Sequence, residues 1–258
     1  MRGEAAARPL DLLRPMRHDR AEDLVAIEEP LEIRVDGEPI AVTMRTPGSD
    51  EELALGFLYG EGLIDGVRDA GPTRDLAANV VEVTGPLSYD PGLRRFYTTS
   101  SCGVCGKGAL EQIAVSAPMA APGPVLARSL LARLPELLSQ PGFARTGGLH
   151  AAGIFTAAGS LAVVREDVGR HNALDKAIGR ALIDGLLPLT GSVICVSGRV
   201  AFELAQKAAV AGAPIIVGVG APTSLAISLA ADRAMTLAGF ARGATVNVYT
   251  GAERVREG

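Results

Sequence analysis

The chain has 258 residues, 48% of them hydrophobic, with 31 glycines, 16 prolines, no tryptophan and a formal charge of −4. That length suits one large domain or two small ones around a core of Ala, Val, Leu and Ile, and the mildly acidic balance excludes the broad basic field of a general nucleic-acid binder. No run approaches the ~20 apolar residues of a membrane span, and charges interrupt the first 23 residues where a signal peptide would be apolar; a cytoplasmic protein is expected.

Residues 1–22 read as a flexible leader without assigned structure. From Leu31 to Met44, apolar and polar residues alternate on both sides of Asp36-Gly37, which predicts a β-hairpin with one buried face. Residues 49–64 read as a helix, with Ser49 placed to cap it and Asp50, Glu51 and Glu52 suited to its N-terminus. NVVEVTG (79–85) reads as a strand, and ALEQIAVSA (109–117) as a short helix after the segment TSSCGVCGKG (99–108). The Pro-rich stretch 117–126 reads as a connector. It divides an N-terminal α+β subdomain carrying the CxxC loop (23–125) from a C-terminal α/β domain (126–258). Helical spacing follows in 126–140, where Pro135 should end or kink the helix.

Beyond Gly147 the pattern is regular. Strands are predicted at 149–155, 160–166, 192–197, 214–219 and 245–249. Helices are predicted at 172–185, 201–212 and 224–239. Asn172 is placed as a cap with Asp175 three residues later, and Ala173, Leu174, Ala177, Ile178, Ala181 and Leu182 form one apolar stripe. Gly185, Gly212 and Gly239 occupy positions where helices end. Such alternation predicts a three-layer α/β sandwich.

Ligands of open α/β sheets gather where strands end and helices begin. Three such turns carry suitable chemistry: REDVGRHN (165–172), Ser197-Gly198-Arg199 and GAPTS (220–224). Free N–H groups at helix starts, with Arg170, His171 and Arg199, suit a phosphate-bearing ligand. The plainer alternative is that Asn172, Ser197, Thr223 and Ser224 only cap helices while the arginines meet solvent, Glu166 or Asp167. Neither GxGxxG nor GxxxxGK[ST] is present, so no Rossmann dinucleotide site or P-loop is indicated. His150, at a strand start, reads as a hydrogen-bonded structural residue.

Cys102 and Cys105 form a CxxC that could serve zinc, a disulfide or nucleophilic chemistry. Zinc needs about four ligands, and no second pair exists, because Cys195 lies in the apolar run SVICVS; no structural metal is expected. A thioredoxin-like CxxC belongs between the first strand and helix of a βαβ unit, whereas this one follows a strand-rich region. A thiol near a helix start with Lys107 close by is in a setting that favours thiolate. The residues alone do not name the electrophile.

Taken in order, EEPLEIRVDG, VTMRTPGSDEELALGFLYGEGLI, SSCGVCGK, TGGLHAAGIF, REDVGRHNALDKAIG, SGRVAFELAQKAA, GAPTSLAISLA and GFARGATVNVYTG closely resemble the FdhD family of formate dehydrogenase accessory sulfurtransferases. The resemblance runs from about residue 24 through nearly the whole chain. It implies a persulfide on Cys102, with Cys105 as its partner, carrying sulfur from a cysteine desulfurase to the molybdenum bis(molybdopterin guanine dinucleotide) cofactor of formate dehydrogenase. It implies that Phe240, Ala241, Arg242, Gly243, Ala244 and Thr245 bind that cofactor, in keeping with a guanine nucleotide (GDP-like) moiety at the anion-friendly turns of Arg170, His171, Ser197 and Arg199. It also implies a homodimer, with a C-terminal part folded like cytidine deaminase beside a smaller N-terminal subdomain. A non-catalytic cofactor chaperone and a dithiol oxidoreductase remain the alternatives. Deaminase chemistry is not expected: zinc deaminases carry H-x-E and then P-C-x-x-C, and here His150 is followed by Ala151 and Ala152 with no PCxxC.

Overall fold

In the computed structural model, residues 13–17, 21–73, 79–89, 96–98 and 117–257 are described, 96–98 by their backbone alone. The alternation after Leu31 becomes β3 (Glu29–Val35) and β4 (Glu38–Arg45), which pair antiparallel. Asp36 and Gly37 both take positive φ, 49° and 86°, as a tight two-residue hairpin turn demands. Leu31, Ile33 and Val35 are buried on one face. β5 (Ala70–Pro72), β6 (Val80–Val83) and β7 (Phe96–Thr98) complete a five-stranded sheet of order β5-β6-β3-β4-β7.

Helix α1 (Asp50–Gly60) lies on that sheet and is buried on nearly every side, as expected of a helix apolar all round. Ser49 precedes it at the N-cap but makes no side-chain cap bond. Its neighbour Asp50 instead accepts two hydrogen bonds from Arg45, at 2.9 and 2.8 Å.

After the short strand β8 (Leu126–Ala127), the C-terminal half builds a six-stranded sheet of order β10-β9-β11-β12-β13-β14. These strands are β9 (His150–Thr156), β10 (Leu161–Asp167), β11 (Ser192–Val196), β12 (Ile215–Gly218), β13 (Thr236–Arg242) and β14 (Thr245–Thr250). β11, β12 and β13 run parallel, while β9 and β14 are antiparallel to their neighbours β11 and β13. One face carries α4 (Arg170–Ile183), α5 (Phe202–Val210) and α6 (Ser224–Asp232), and the other carries α2 (Arg128–Arg133) with a 3-10 turn at Leu134–Leu137. Helices on both faces give three layers, and the fold is mixed α/β. The two halves meet where α1 crosses α4, with Leu182 of α4 joining the core beneath the first sheet.

Four features differ from the sequence reading. Residues 13–17, within the stretch read as a leader, form β1 and pair with β2 (Glu22–Ala26); LRPMR has no side-chain alternation, and its pairing is a matter of backbone. The helix read over 224–239 ends at Asp232, and 236–242 is the strand β13. Ala234 at φ 53° turns the chain, so Gly239 lies inside a strand rather than after a helix. Helix α4 starts at Arg170 with Gly169 at its N-cap. Asn172 sits inside the helix, donating to the Met44 carbonyl at 2.7 Å and to Asp167 at 3.0 Å. A short α3 (Pro141–Thr146) also follows the 3-10 turn that Pro135 starts. The reading of 109–116 as helical lies outside the described residues.

Candidate functional site

The C-terminal ends of β11, β12 and β13 converge on one rim, as the α/β pattern requires. Their loops are laced together by backbone bonds: Val219 N to Val196 O (3.1 Å), Gly220 N to Gly198 O (3.0 Å), Val200 N to Ala221 O (3.2 Å), Thr223 N to Val200 O (3.0 Å) and Phe240 N to Gly220 O (3.2 Å). A side chain at Gly220 would start 3.0 Å from the Arg199 nitrogen, so glycine lets the two loops touch. Thr223 caps α6, accepting from Ala226 N at 3.4 Å.

Ser197 does not cap a helix. Its Oγ accepts from Ala151 N at 2.9 Å, and its own N–H donates to Ala151 O at 2.9 Å. This pair fastens the end of β11 to the start of β9 and delivers His150 to the rim. From a point where a Gly198 side chain would begin, His150 Nδ1 lies 3.5 Å away and Arg170 Cδ 3.9 Å away. Burial, and then the charges of Arg170 and His171, hold the imidazolium of His150 below the ordinary histidine range; Asp167 opposes them.

Beneath this rim Asp167 is fully buried and organises the start of α4. It pairs with Lys176 at 2.7 Å and accepts from Gly169 N (2.8 Å), Asn172 Nδ2 (3.0 Å) and Thr46 N (3.1 Å). Lys176 also donates to the Thr46 carbonyl at 2.7 Å, which ties β4 to α4. Asp167 is therefore already neutralised by Lys176 and is no counter-ion for Arg170. His171 lies 3.8 Å from Glu203 on α5, an ion-pair distance too long for a hydrogen bond. The buried atoms Arg170 Nε and His171 Nε2 have no hydrogen-bond partner. Arg199 is exposed, and neither it nor Arg170 forms an ion pair among the described residues.

Within the segment 240–245, Phe240 joins the rim through its bond to Gly220, takes φ 52° and stands 48% exposed. Ala241 is buried in the core on the opposite face, so its side chain faces away from the rim. Arg242, Gly243, Ala244 and Thr245 form the exposed turn joining β13 to β14, where Thr245 Oγ1 donates to the Arg242 carbonyl at 3.1 Å. The structure thus brings together Arg170, His171, Ser197, Arg199 and Phe240, and adds His150, Glu203 and Gly220. His150 was visible in the sequence only as a strand-start residue, because its neighbours arrive through β9–β11 pairing.

Cys102 and Cys105 lie outside the described residues. Cys195 is buried within β11, and burial pushes its thiol far up. Among the described residues no group of three or more His, Cys, Asp or Glu side chains could hold a metal. No described helix is long and apolar enough to cross a membrane.

Residues 26–256 match the FdhD/NarQ family. The chain belongs to that family. It is 54% identical over 251 residues to the sulfur carrier protein FdhD of Streptomyces coelicolor, covering 90% of this chain and 89% of that protein. It is 45% identical over 239 residues to the sulfur carrier protein FdhD of Sulfurisphaera tokodaii, covering 91% and 92%. The crystal structure of a protein described as a formate dehydrogenase accessory protein, from Desulfotalea psychrophila, superposes with a TM-score of 0.72 at 26% identity, covering 95% of this chain and 97% of that one. The rim described above lies wholly within the FdhD/NarQ match.

Proposed function

We propose that this member of the FdhD/NarQ family is a cytoplasmic sulfurtransferase for the molybdenum bis(molybdopterin guanine dinucleotide) cofactor of a formate dehydrogenase. A cysteine desulfurase loads Cys102 by thiol–persulfide exchange: the Cys102 thiolate attacks the donor's sulfane sulfur, a new S–S bond forms on Cys102, and the donor leaves as thiolate. Cys105 is the partner thiol. The cofactor is cargo, its guanine nucleotide arms held at the rim by Arg170, His171, Ser197, Arg199 and the segment Phe240–Thr245, and the working form is a homodimer.

The observation that carries this reading is the state of the third cysteine. Nucleophilic sulfur chemistry needs an accessible thiolate, and Cys195 is fully buried with its thiol pushed far up. Sulfur handling, which the names of the relatives attach to those proteins, therefore falls to Cys102 and Cys105. Cations without ion-pair partners at the rim supply the second half of the reading, since such groups favour phosphate.

The test is intact mass after incubation with a cysteine desulfurase and cysteine. The wild-type chain is expected to gain one sulfur atom, removable by dithiothreitol, and Cys102→Ala to gain none. No gain in the wild type overturns the sulfurtransferase reading. Formate dehydrogenase maturation that proceeds normally with Cys102→Ala points to a holding chaperone instead.

A further inference from the structure

We propose that His150 is a conditional cation of the rim, taking a proton from solvent when a phosphate-bearing ligand binds and returning it when the ligand leaves. The inference rests on the nucleotide-binding half of the reading above and deepens it by assigning a ligand-sensing residue.

Two side chains from two elements meet at the Gly198 position, His150 from β9 and Arg170 from α4, and the charge of the neighbouring His171 also acts on His150. Asp167 of β10 stands opposite His150 in the strand pairing, but its charge is satisfied by Lys176 and by three N–H donors. From the β11 loop come Ser197, whose hydroxyl already accepts from Ala151 N, and Gly198, which brings no side chain. From α4 come Arg170 and His171, and from α5 Glu203 lies 3.8 Å from His171 and also feels the charge of Arg170. Without a ligand His150 therefore meets burial and neighbouring positive charge, which together outweigh the opposing charge of Asp167 and disfavour its cation.

A phosphate or diphosphate between Arg170, Arg199 and the Gly198 backbone reverses the sign of that field. The imidazole then gains an opposite charge nearby, which favours its protonated form. The result is a rim that matches its own charge to its occupant. An empty rim avoids a third cation packed against Arg170, and an occupied one gains a further charge-assisted donor. The ligand class is an anion of more than one charge, such as the diphosphate of a nucleotide. A neutral nucleoside gives the imidazole no reason to charge.

Because the complex holds the proton more tightly than the free protein, the contribution of His150 to affinity is fullest at low pH. It falls as pH rises through the interval between the free and the bound pKa of His150, and levels off above the bound value.

The chain has three histidines, so their imidazole resonances can be followed separately by NMR, with His150→Gln used to assign one of them. The probe is guanosine diphosphate, with guanosine as the uncharged control. With saturating diphosphate the pKa of His150 is expected to rise by about one unit or more, and guanosine is expected to leave it unmoved. Calorimetry in two buffers of different ionisation enthalpy is expected to show net proton uptake that His150→Gln removes. A His150 titration that is the same with and without bound diphosphate overturns the proposal while leaving the nucleotide reading intact. So does uptake that persists undiminished in His150→Gln. Failure of the wild-type chain to bind guanosine diphosphate at all overturns both.

Discussion

Gly179→Ala is expected to destabilise the chain severely. Alanine is the better helix former by roughly 0.5–1 kcal/mol, so helix propensity alone would favour the substitution in the middle of α4. Packing decides the other way. A Cβ at Gly179 would lie 1.8 Å from the Glu52 carbonyl oxygen of α1, and one at Gly56 would lie 1.8 Å from the Asp175 carbonyl oxygen of α4. Both obstacles are backbone, so no rotamer change relieves them and the two helices must part. Parting them uncovers a crossing where Leu53, Ala54, Leu58 and Leu182 are buried, adding a cavity cost to the strain. The expected loss is about 4 kcal/mol or more, in the range reserved for severe core lesions, against a total stability of roughly 5–15 kcal/mol. Urea unfolding and soluble yield measure it, with Gly56→Ala expected to behave alike. Gly191→Ala is the control: nothing lies within 4 Å of its would-be Cβ, so it should stay within about 0.5 kcal/mol of wild type. A Gly179→Ala protein with a wild-type urea midpoint would show that the helices do not cross this closely.

The contrast between these glycines explains what could be read from sequence. Features with a local cause were legible. The β3–β4 hairpin announced itself by period-two burial and a turn pair, and Gly185 and Gly212 take the positive φ (68° and 76°) of helix-ending residues. The apolar stripe of α4 is buried as its spacing implies. Features caused by distant partners were not. Asn172 looks like a cap, but its amide is engaged by Met44, 128 residues earlier. Asp175, read as part of the same capping arrangement, is instead buried against Lys207 of α5. The stop at Ala234 carries no glycine signal, so the run from Ser224 to Gly239 read as one helix although its last residues, with Leu237 on one face and Ala238 on the other, are strand. The site shows the same division. Turns at strand ends follow from the α/β alternation itself, whereas the arrival of His150 beside Gly198 depends on pairing between β9 and β11.

Lys207→Met is expected to cost about 3–5 kcal/mol at pH 7.5, the usual result of breaking a buried pair by removing one partner, and to recover most of that at pH 5. Lys207 is nearly fully buried, 2.9 Å from Asp175 and 3.1 Å from Glu61, with its ammonium 5.2 Å from the centre of the Phe57 ring. It therefore joins α5 to α4 and to the end of α1. Its two carboxylates outweigh burial and hold it above the ordinary lysine range. Asp175 responds oppositely to the two influences: burial raises it, Lys207 restrains it, and the outcome is a carboxyl pushed up to about 6 from 3.8. A carboxyl raised in the folded state contributes stability that is present below the ordinary carboxylate range and is lost as pH rises through the folded value. In the wild type that loss falls between about 4 and 6. Without Lys207 the restraint disappears, Asp175 keeps its proton to higher pH, and the upper end of the window moves above 6 while its lower end stays near 4. At pH 5 the variant therefore holds a neutral Asp175, while Glu61, whose side chain is 19% exposed, is served by water. Urea midpoints from pH 5 to 8 should show a stability difference between variant and wild type that widens as pH rises. In Lys207→Met/Asp175→Asn that widening should vanish, because the titrating group is gone. A Lys207→Met deficit of equal size at pH 5 and pH 7.5 would mean that the lysine acts through packing rather than through the charge of Asp175.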